Sequence, residues 1–434
     1  MLKVSANGRF LVHDDGSPFF YLGDTAWELF HRCSSSEAEL YLQDRAAKGF
    51  TVIQAVVLAE YDGLLAPNAL GDLPLLDSDP AQPNHAYFEH VDAIVAQAAA
   101  LGLVTGMLPT WGDKWNKKWG IGPEIFTPEN GQSFGSFLGA RYRDQPIIWI
   151  LGGDRAVETP EHRAIMAAMA AGLRAGDGGM HLISFHPTGS QTSAEYFHDE
   201  GWLDFNMWQS GHARNRDTYN CITSDYQRTP VKPCMDAEPG YEDHPAAFNL
   251  DNGYLDDYDV RKSAYWALFA GAHGHTYGCH PIWQMCQPGR TPYTNVRRTW
   301  HAALHMPGSA HMRHVRALIE SRPFLTRIPD QSLLVSDPGT GTHHVRATRD
   351  QDGSYAFVYI PSGKPVTINL ATLYGSTLAV YWYDPRTGTA RNSGTLSRSG
   401  THEFVPPAVG PDWVLVLDDV ARSFPAPGTA TYRG

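Results

Sequence analysis

Five carboxylates in this chain stand just past short apolar runs: Asp24, Glu60, Asp154, Asp236 and Glu238. Phe20-Tyr21-Leu22-Gly23 leads into Asp24, and Ile150-Leu151-Gly152-Gly153 leads into Asp154. Val231-Lys232-Pro233-Cys234-Met235 leads into Asp236 and Glu238. Two carboxylates facing one ligand can divide the work that cleavage of a glycosidic bond requires. One, protonated, gives its proton to the leaving oxygen; the other, ionised, attacks the anomeric carbon or activates water. Their surroundings must keep them in different protonation states near neutral pH. Asp154 and Glu238 are the candidate catalytic pair. Two glycines free the backbone ahead of Asp154, where bulky side chains would crowd a ligand. Asp236 and Glu238 are two residues apart, so an extended strand directs both to one side. Glu238 lies further out, beside Pro239-Gly240, and has the longer arm, which leaves Asp236 as a supporting residue. Each acid also has a plainer use: Asp24 as an N-cap, Glu60 in a pair with a neighbouring loop, Asp154 in an ion pair with Arg155.

Acids at the ends of apolar runs meet only if something aligns those runs. Strands are expected at 20–23, 51–58, 103–109, 147–151, 181–185, 203–208, 231–235 and 273–277. Helical stretches are expected near 35–48, 86–101, 127–143, 159–174, 193–201, 216–227, 255–271 and 309–321. Ser34-Ser35-Ser36-Glu37, Thr127-Pro128-Glu129 and Thr159-Pro160-Glu161 carry helix-start signals, and Gly49 and Gly102 sit at helix ends. Eight strand-then-helix units over about 310 residues suit a closed (β/α)8 barrel. Runs such as Thr51–Leu58 and Ile147–Leu151 are nearly all apolar, as strands buried on both faces should be. In such a barrel the ligand site lies at the C-terminal strand ends. The pattern is poorest over 186–230.

Past residue 330 the helical period stops. Short alternating strands are expected at 343–349, 354–360, 365–370, 377–383 and 413–417, divided by turns such as Asp352-Gly353 and Arg386-Thr387-Gly388. The fold expected is therefore α/β: a TIM barrel with a short N-terminal hairpin over 1–329, then an antiparallel β-sandwich over 330–434.

Around the pair, the other strand ends supply candidate sugar-binding residues. Trp27, Trp111 and Trp208 are stacking candidates, with Trp115, Trp119 and Trp283 on longer loops. Asp24, Glu60, His186, Gln209, Asp236 and His275 are the polar ones. Twelve Trp and twenty Tyr among 434 residues supply flat faces for sugars, although most aromatic rings end in the core. The long stretches 59–85 and 110–126 could close over a pocket that admits only a terminal sugar. A net charge of −12 argues against nucleic acid and anionic membrane as partners; the aromatic faces suit a carbohydrate. No apolar run is long enough to span a bilayer. No hydrophobic region follows Met1-Leu2-Lys3, and the five cysteines lack a C-x-x-C spacing, so a cytoplasmic protein with reduced thiols is expected.

Two other motifs carry chemistry of a different kind. His273-Gly274-His275 raises a metal-dependent barrel hydrolase, but it falls on the eighth strand and no H-E-x-x-H occurs. The reading needs no metal and no cofactor. Gly131-Gln132-Ser133-Phe134-Gly135 matches G-x-S-x-G, yet a helix start precedes it where a buried strand is required. A catalytically inactive carbohydrate-binding protein is the remaining alternative.

The run from Gly8-Arg9-Phe10-Leu11 through Pro18-Phe19-Phe20-Tyr21-Leu22-Gly23-Asp24-Thr25-Ala26-Trp27 resembles the apiosidase-like family of bacterial glycoside hydrolases. So do Ile148-Trp149-Ile150-Leu151-Gly152-Gly153-Asp154 and Met235-Asp236-Ala237-Glu238-Pro239-Gly240-Tyr241. The likeness covers the whole barrel. The tail, with Tyr381-Trp382-Tyr383-Asp384-Pro385-Arg386-Thr387-Gly388, resembles the β-sandwich such proteins carry, a domain type labelled collagen-binding. The resemblance implies acid/base for Asp154 and nucleophile for Glu238, and apiose or a related pentofuranose as the sugar. In the wider clan the fourth-strand acid is Glu after Asn; here it is Asp after Gly-Gly.

Overall fold

The computed structural model describes every residue except 409, 430, 433 and 434. Eight strands build the barrel: β1 (Tyr21–Thr25), β2 (Val52–Leu58), β3 (Val104–Thr110), β4 (Ile147–Gly152), β5 (Ile183–His186), β6 (Asn206–Gln209), β7 (Cys234–Asp236) and β8 (Gly274–Tyr277). Their order is β5-β4-β3-β2-β1-β8-β7-β6, and every ladder between them is parallel. At the seam the Asp204 amide donates to the Ile183 carbonyl at 2.8 Å, and Ser184 Oγ to the Phe205 carbonyl at 2.7 Å. The weakly patterned region 186–230 holds short pieces: a strand at Gln191–Thr192, one helical turn at Ala194–Phe197 and the helix Thr218–Tyr226.

Strand side chains alternate between two apolar layers, which is why the runs look apolar throughout. Tyr21, Val52, Val56, Leu108, Ile148, Ile150, Met207 and Met235 fill the barrel interior. Leu22, Ile53, Val57, Met107, Trp149, Leu151, Phe185 and Cys234 face the helices. Gln54 is a polar residue inside, donating to Thr276 Oγ1 at 2.8 Å.

The helix starts read from sequence are caps. Ser34 and Thr127 form capping boxes with Glu37 and Asn130, and Thr159 accepts from the His162 amide. The helices Pro128–Tyr142 and Pro160–Asp177 touch backbone to backbone. A Cβ on Gly135 would meet the Met169 carbonyl, and one on Gly172 the Gln132 carbonyl; Gly139 and Gly176 repeat the pattern a turn later. The G-x-S-x-G glycines belong to this close helix contact.

The first twenty residues add a third strand to the expected hairpin: Leu2–Val4, Leu11–His13 and Pro18–Phe19 pair antiparallel. The tail has strands β9 (Arg327–Pro329), β10 (Arg346–Asp350), β11 (Tyr355–Ile360), β12 (Val366–Asn369), β13 (Thr377–Asp384), β14 (Thr389–Ser397), β15 (Thr401–Phe404) and β16 (Trp413–Asp419). Six form a sheet in the order β9-β10-β11-β16-β13-β14, and β12 pairs with β15. On one face of the large sheet, Ala356, Val358, Ile360, Leu415 and Leu417 pack with Val366, Ile368 and Phe404 of the small one. On the other, Tyr355, Phe357, Tyr359, Val414 and Val416 join the barrel's outer cluster. Tyr359 stacks on Tyr265 at 4.9 Å. Two buried bidentate ion pairs cross the contact: Arg261 with Asp412 at 2.8 and 2.9 Å, and Arg322 with Asp418 at 2.9 and 2.6 Å.

Candidate active site

A cavity of about 630 Å³ opens at the C-terminal strand ends. Asp154 and Glu238 both line it. Asp154 follows β4 through two glycines with φ +95° each and itself adopts φ +58°. A Cβ on Gly153 would sit 3.0 Å from Trp111 Cα, so only glycine lets the chain pass here. Arg155 Nη1 donates to the Asp154 carbonyl at 2.8 Å and to its Oδ2 at 3.1 Å. Burial and then the charge of Glu238 push the Asp154 carboxyl up to about 6, against the pull of Arg155, His186 and a hydrogen bond from Gln209.

Glu238 reaches the cavity by a different device. β7 ends at Asp236, and the amides of Ala237 and Glu238 both point to the Trp208 carbonyl, at 2.8 and 3.3 Å. Two successive amides sharing one acceptor make a bulge, which turns the strand and re-aims the next side chain. Asp236 and Glu238 therefore face opposite ways, contrary to the expectation from a two-residue spacing. His186 Nε2 lies 3.0 Å from Glu238 Oε2, and His212 Nε2 lies 3.4 Å from Oε1. Burial alone would raise the Glu238 carboxyl; the two imidazoles outweigh it and hold it well below the usual carboxylate range.

Trp27, Glu60, Trp111 and Gln209 line the cavity as expected from their strand ends. Trp27 Nε1 donates to the Tyr241 hydroxyl at 3.0 Å, and the Trp27 and Trp111 rings meet at 5.3 Å. Burial, with the charges of Glu28 and Asp154, pushes Glu60 well above the carboxylate range. His186 is fully buried and packs its ring against Trp27 and Trp111. Its polar contact is Glu238, where a sugar hydroxyl was expected.

Four expected binding residues are elsewhere. Asp24 is buried against Arg45 and accepts from the Tyr41 hydroxyl at 2.7 Å. Trp208 packs in the outer apolar cluster. Asp236 accepts from Ser210 Oγ at 2.6 Å and holds the turn after β6. His275 is buried on β8 and forms no part of the cavity wall. All four share a cause: they alternate with inward residues and so point to the helical layer. Trp115 is also withdrawn, donating to the Gly152 carbonyl at 3.1 Å.

Loops supply wall residues that the sequence reading did not single out: Tyr61, Asp113, His212, Tyr241, His244, Phe248, His280 and Tyr293. His244 stacks on His212 at 4.2 Å and meets His280 at 4.5 Å. Six wall residues other than glycine have positive φ: Tyr61, Asp154, Ser190, Ala247, Phe248 and Thr294. Such conformations persist only where the surroundings impose them, and they gather at functional sites. Among the described residues, no three His, Cys, Asp or Glu side chains are grouped to hold a metal ion.

Residues 5–326 match the family model "Apiosidase-like, catalytic domain", and 328–418 match "Putative collagen-binding domain of a collagenase". Among solved structures, the chain is 33% identical to a glycoside hydrolase, with a TM-score of 0.89 and 97% of each chain covered. It is 32% identical to a glycoside hydrolase family 5 protein from Bacteroides vulgatus ATCC 8482, with a TM-score of 0.91, covering 100% of this chain and 96% of that one. An alpha-amylase from Lactobacillus plantarum shares the fold at 11% identity and a TM-score of 0.53, with 92% and 98% covered. No curated protein matches.

Proposed function

The chain belongs to the apiosidase-like family and is a glycoside hydrolase; on that premise we propose that it removes a terminal sugar by a two-carboxylate retaining mechanism. The sugar proposed is apiose or a related pentofuranose, carried by plant-derived glycosides or cell-wall oligosaccharides. The observation that carries the mechanism is one cavity holding Asp154 and Glu238 with their acidities displaced in opposite directions. A neutral acid beside an ionised carboxylate is the division of labour that glycosidic cleavage requires.

Glu238 attacks the anomeric carbon as the bond to the leaving oxygen breaks, and Asp154 passes its proton to that oxygen. The product is a glycosyl ester on Glu238 with Asp154 ionised. Asp154 then takes a proton from water, the hydroxide attacks the same carbon, and the ester opens to free Glu238. Action at a chain end is supported by the rim, where Tyr61 after β2 stacks on Tyr293 after β8 at 3.6 Å and narrows the cavity toward a pocket.

Proton NMR of the first anomer released from an aryl glycoside tests the mechanism. Retention is expected; inversion would make Glu238 a base acting on water. A panel of aryl apiosides, arabinofuranosides and pyranosides tests the sugar, and preference for a pyranoside would overturn the pentofuranose reading.

A further inference from the structure

Trp119 is held at the cavity rim with 64% of its surface exposed, an arrangement a buried ring would not need. The Arg155 guanidinium lies 4.2 Å from its ring centroid on one side. The same guanidinium holds Asp154.

The loop that carries Trp119 is bound to the segment around Asp154 at several points. The Gly112 amide donates to the Gly153 carbonyl at 2.9 Å, and Asn116 Nδ2 to the Ala156 carbonyl at 2.9 Å. Lys118 pairs with Glu158 at 2.7 Å. Gly112 and Gly120 lie against Arg155 so closely that a Cβ on either would collide with it. The Trp119 ring is therefore fixed relative to Asp154. The other strongly exposed ring of the wall, Phe248, packs on His212 and His244, and His212 touches Glu238. Each carboxylate thus has its own rim aromatic.

A general acid must stand beside the oxygen it protonates, so the leaving group occupies the side of the acid. We propose that Trp119 is the platform for the leaving group, and that it takes a cyclic aglycone, a second sugar or an aromatic alcohol, whose ring face lies on the indole face turned away from Arg155. Flat apolar faces exposed to water gain from being covered by a ring, and the cation beneath polarises the indole. This rests on Asp154 being the acid, and the experiment separates the two claims.

The probes are three glycosides of one sugar that wild type cleaves: the phenyl glycoside, the methyl glycoside and the glycosyl fluoride. Phenyl against methyl differs in the ring and in leaving-group acidity, so each variant is referred to wild type on the same glycoside; methyl against fluoride differs in the need for a proton. Trp119→Ala should lower kcat/KM at least tenfold on the phenyl glycoside, mainly through KM, and less than twofold on the methyl glycoside. Trp119→Phe should recover part of the loss. Phe248→Ala should show no preference between the two. Because Trp119 is exposed, its removal leaves the fold intact. Equal losses on both glycosides, or none on either, would overturn the platform. Asp154→Ala should spare kcat/KM for the fluoride, which reports only formation of the ester, and lower it for the methyl glycoside; an equal fall in kcat/KM on both would remove the acid assignment while leaving the Trp119 result readable.

Discussion

His186 and Glu238 meet at 3.0 Å, with the imidazole itself packed against both Trp27 and Trp111. His212 approaches the other carboxylate oxygen. The two imidazoles hold Glu238 ionised, while burial and the Glu238 charge favour the protonated form of Asp154. Removing His186 should let the Glu238 pKa rise toward its burial-driven value. In His186→Ala the acid limb of the kcat/KM profile should move to higher pH, and activity should fall about tenfold or more. An unmoved acid limb would reduce His186 to a packing residue.

Asp154 sets the other limb. With its carboxyl pushed up to about 6, kcat/KM should fall as pH rises through that value, because the acid loses its proton. The same shift has a consequence for stability. The folded-state pKa lies above the unfolded one, so stability falls as pH rises from 3.8 to about 6 and the penalty is complete above that. Asp154→Asn should therefore stabilise the protein by up to about 3 kcal/mol at pH 7.5 and by nothing measurable at pH 3.5. Urea unfolding at the two pH values measures it; equal effects at both would contradict the shift.

The two carboxylate variants should differ in kind. Glu238→Ala should abolish turnover of every substrate, since no attacking group remains. Asp154→Ala should lose about 10²–10⁴-fold on poor leaving groups and much less on an activated aryl glycoside. Added azide should rescue Asp154→Ala and yield a glycosyl azide of retained configuration. An azide product of inverted configuration, or rescue of Glu238→Ala with retention, would exchange the roles.

Much of the barrel was legible because the pattern and the caps agree: eight apolar runs, and Ser34, Thr127 and Thr159 at helix starts. The tail strand β14 was not, since Thr389–Ser397 is largely exposed and lacks apolar alternation. The site was legible by position and misread by facing. Adjacency to a strand end gathered Asp24, Trp208, Asp236 and His275 with the true wall residues, although strand parity sends all four outward. Glu238 follows Asp236 by two residues and would share that fate without the bulge at Ala237, which no local residue pattern announces. The loop residues His212, His244, Phe248 and Tyr293 were out of reach because their positions depend on how distant loops meet.

The contact between barrel and tail should respond sharply to a single charge. Asp412 is fully buried and accepts both arms of Arg261. Asp412→Ala leaves the buried guanidinium with only its partly exposed carboxylate partner Asp257 and should cost about 3 kcal/mol. Arg163→Ala, whose pair with Glu200 is well exposed, should cost less than about 1 kcal/mol. Chemical denaturation compares the two, and a similar small loss for both would mean that water reaches Arg261.

The six positive-φ residues around the cavity bear on how this protein fails under stress. Each is a high-energy turn held in place by neighbours, and they sit on five loops after different strands, Ala247 and Phe248 sharing one. Released together, those loops would relax while the helices and strands below them kept their hydrogen bonds. Catalysis should then fade at urea concentrations where the far-ultraviolet circular dichroism is still native. Occupancy of the cavity by a slowly released product should close that gap, because a ligand that binds only the assembled rim holds all the turns at once. Product-inhibited enzyme would then be the longest-lived form in storage, and the sugar best able to preserve activity would reveal what the pocket was built to hold.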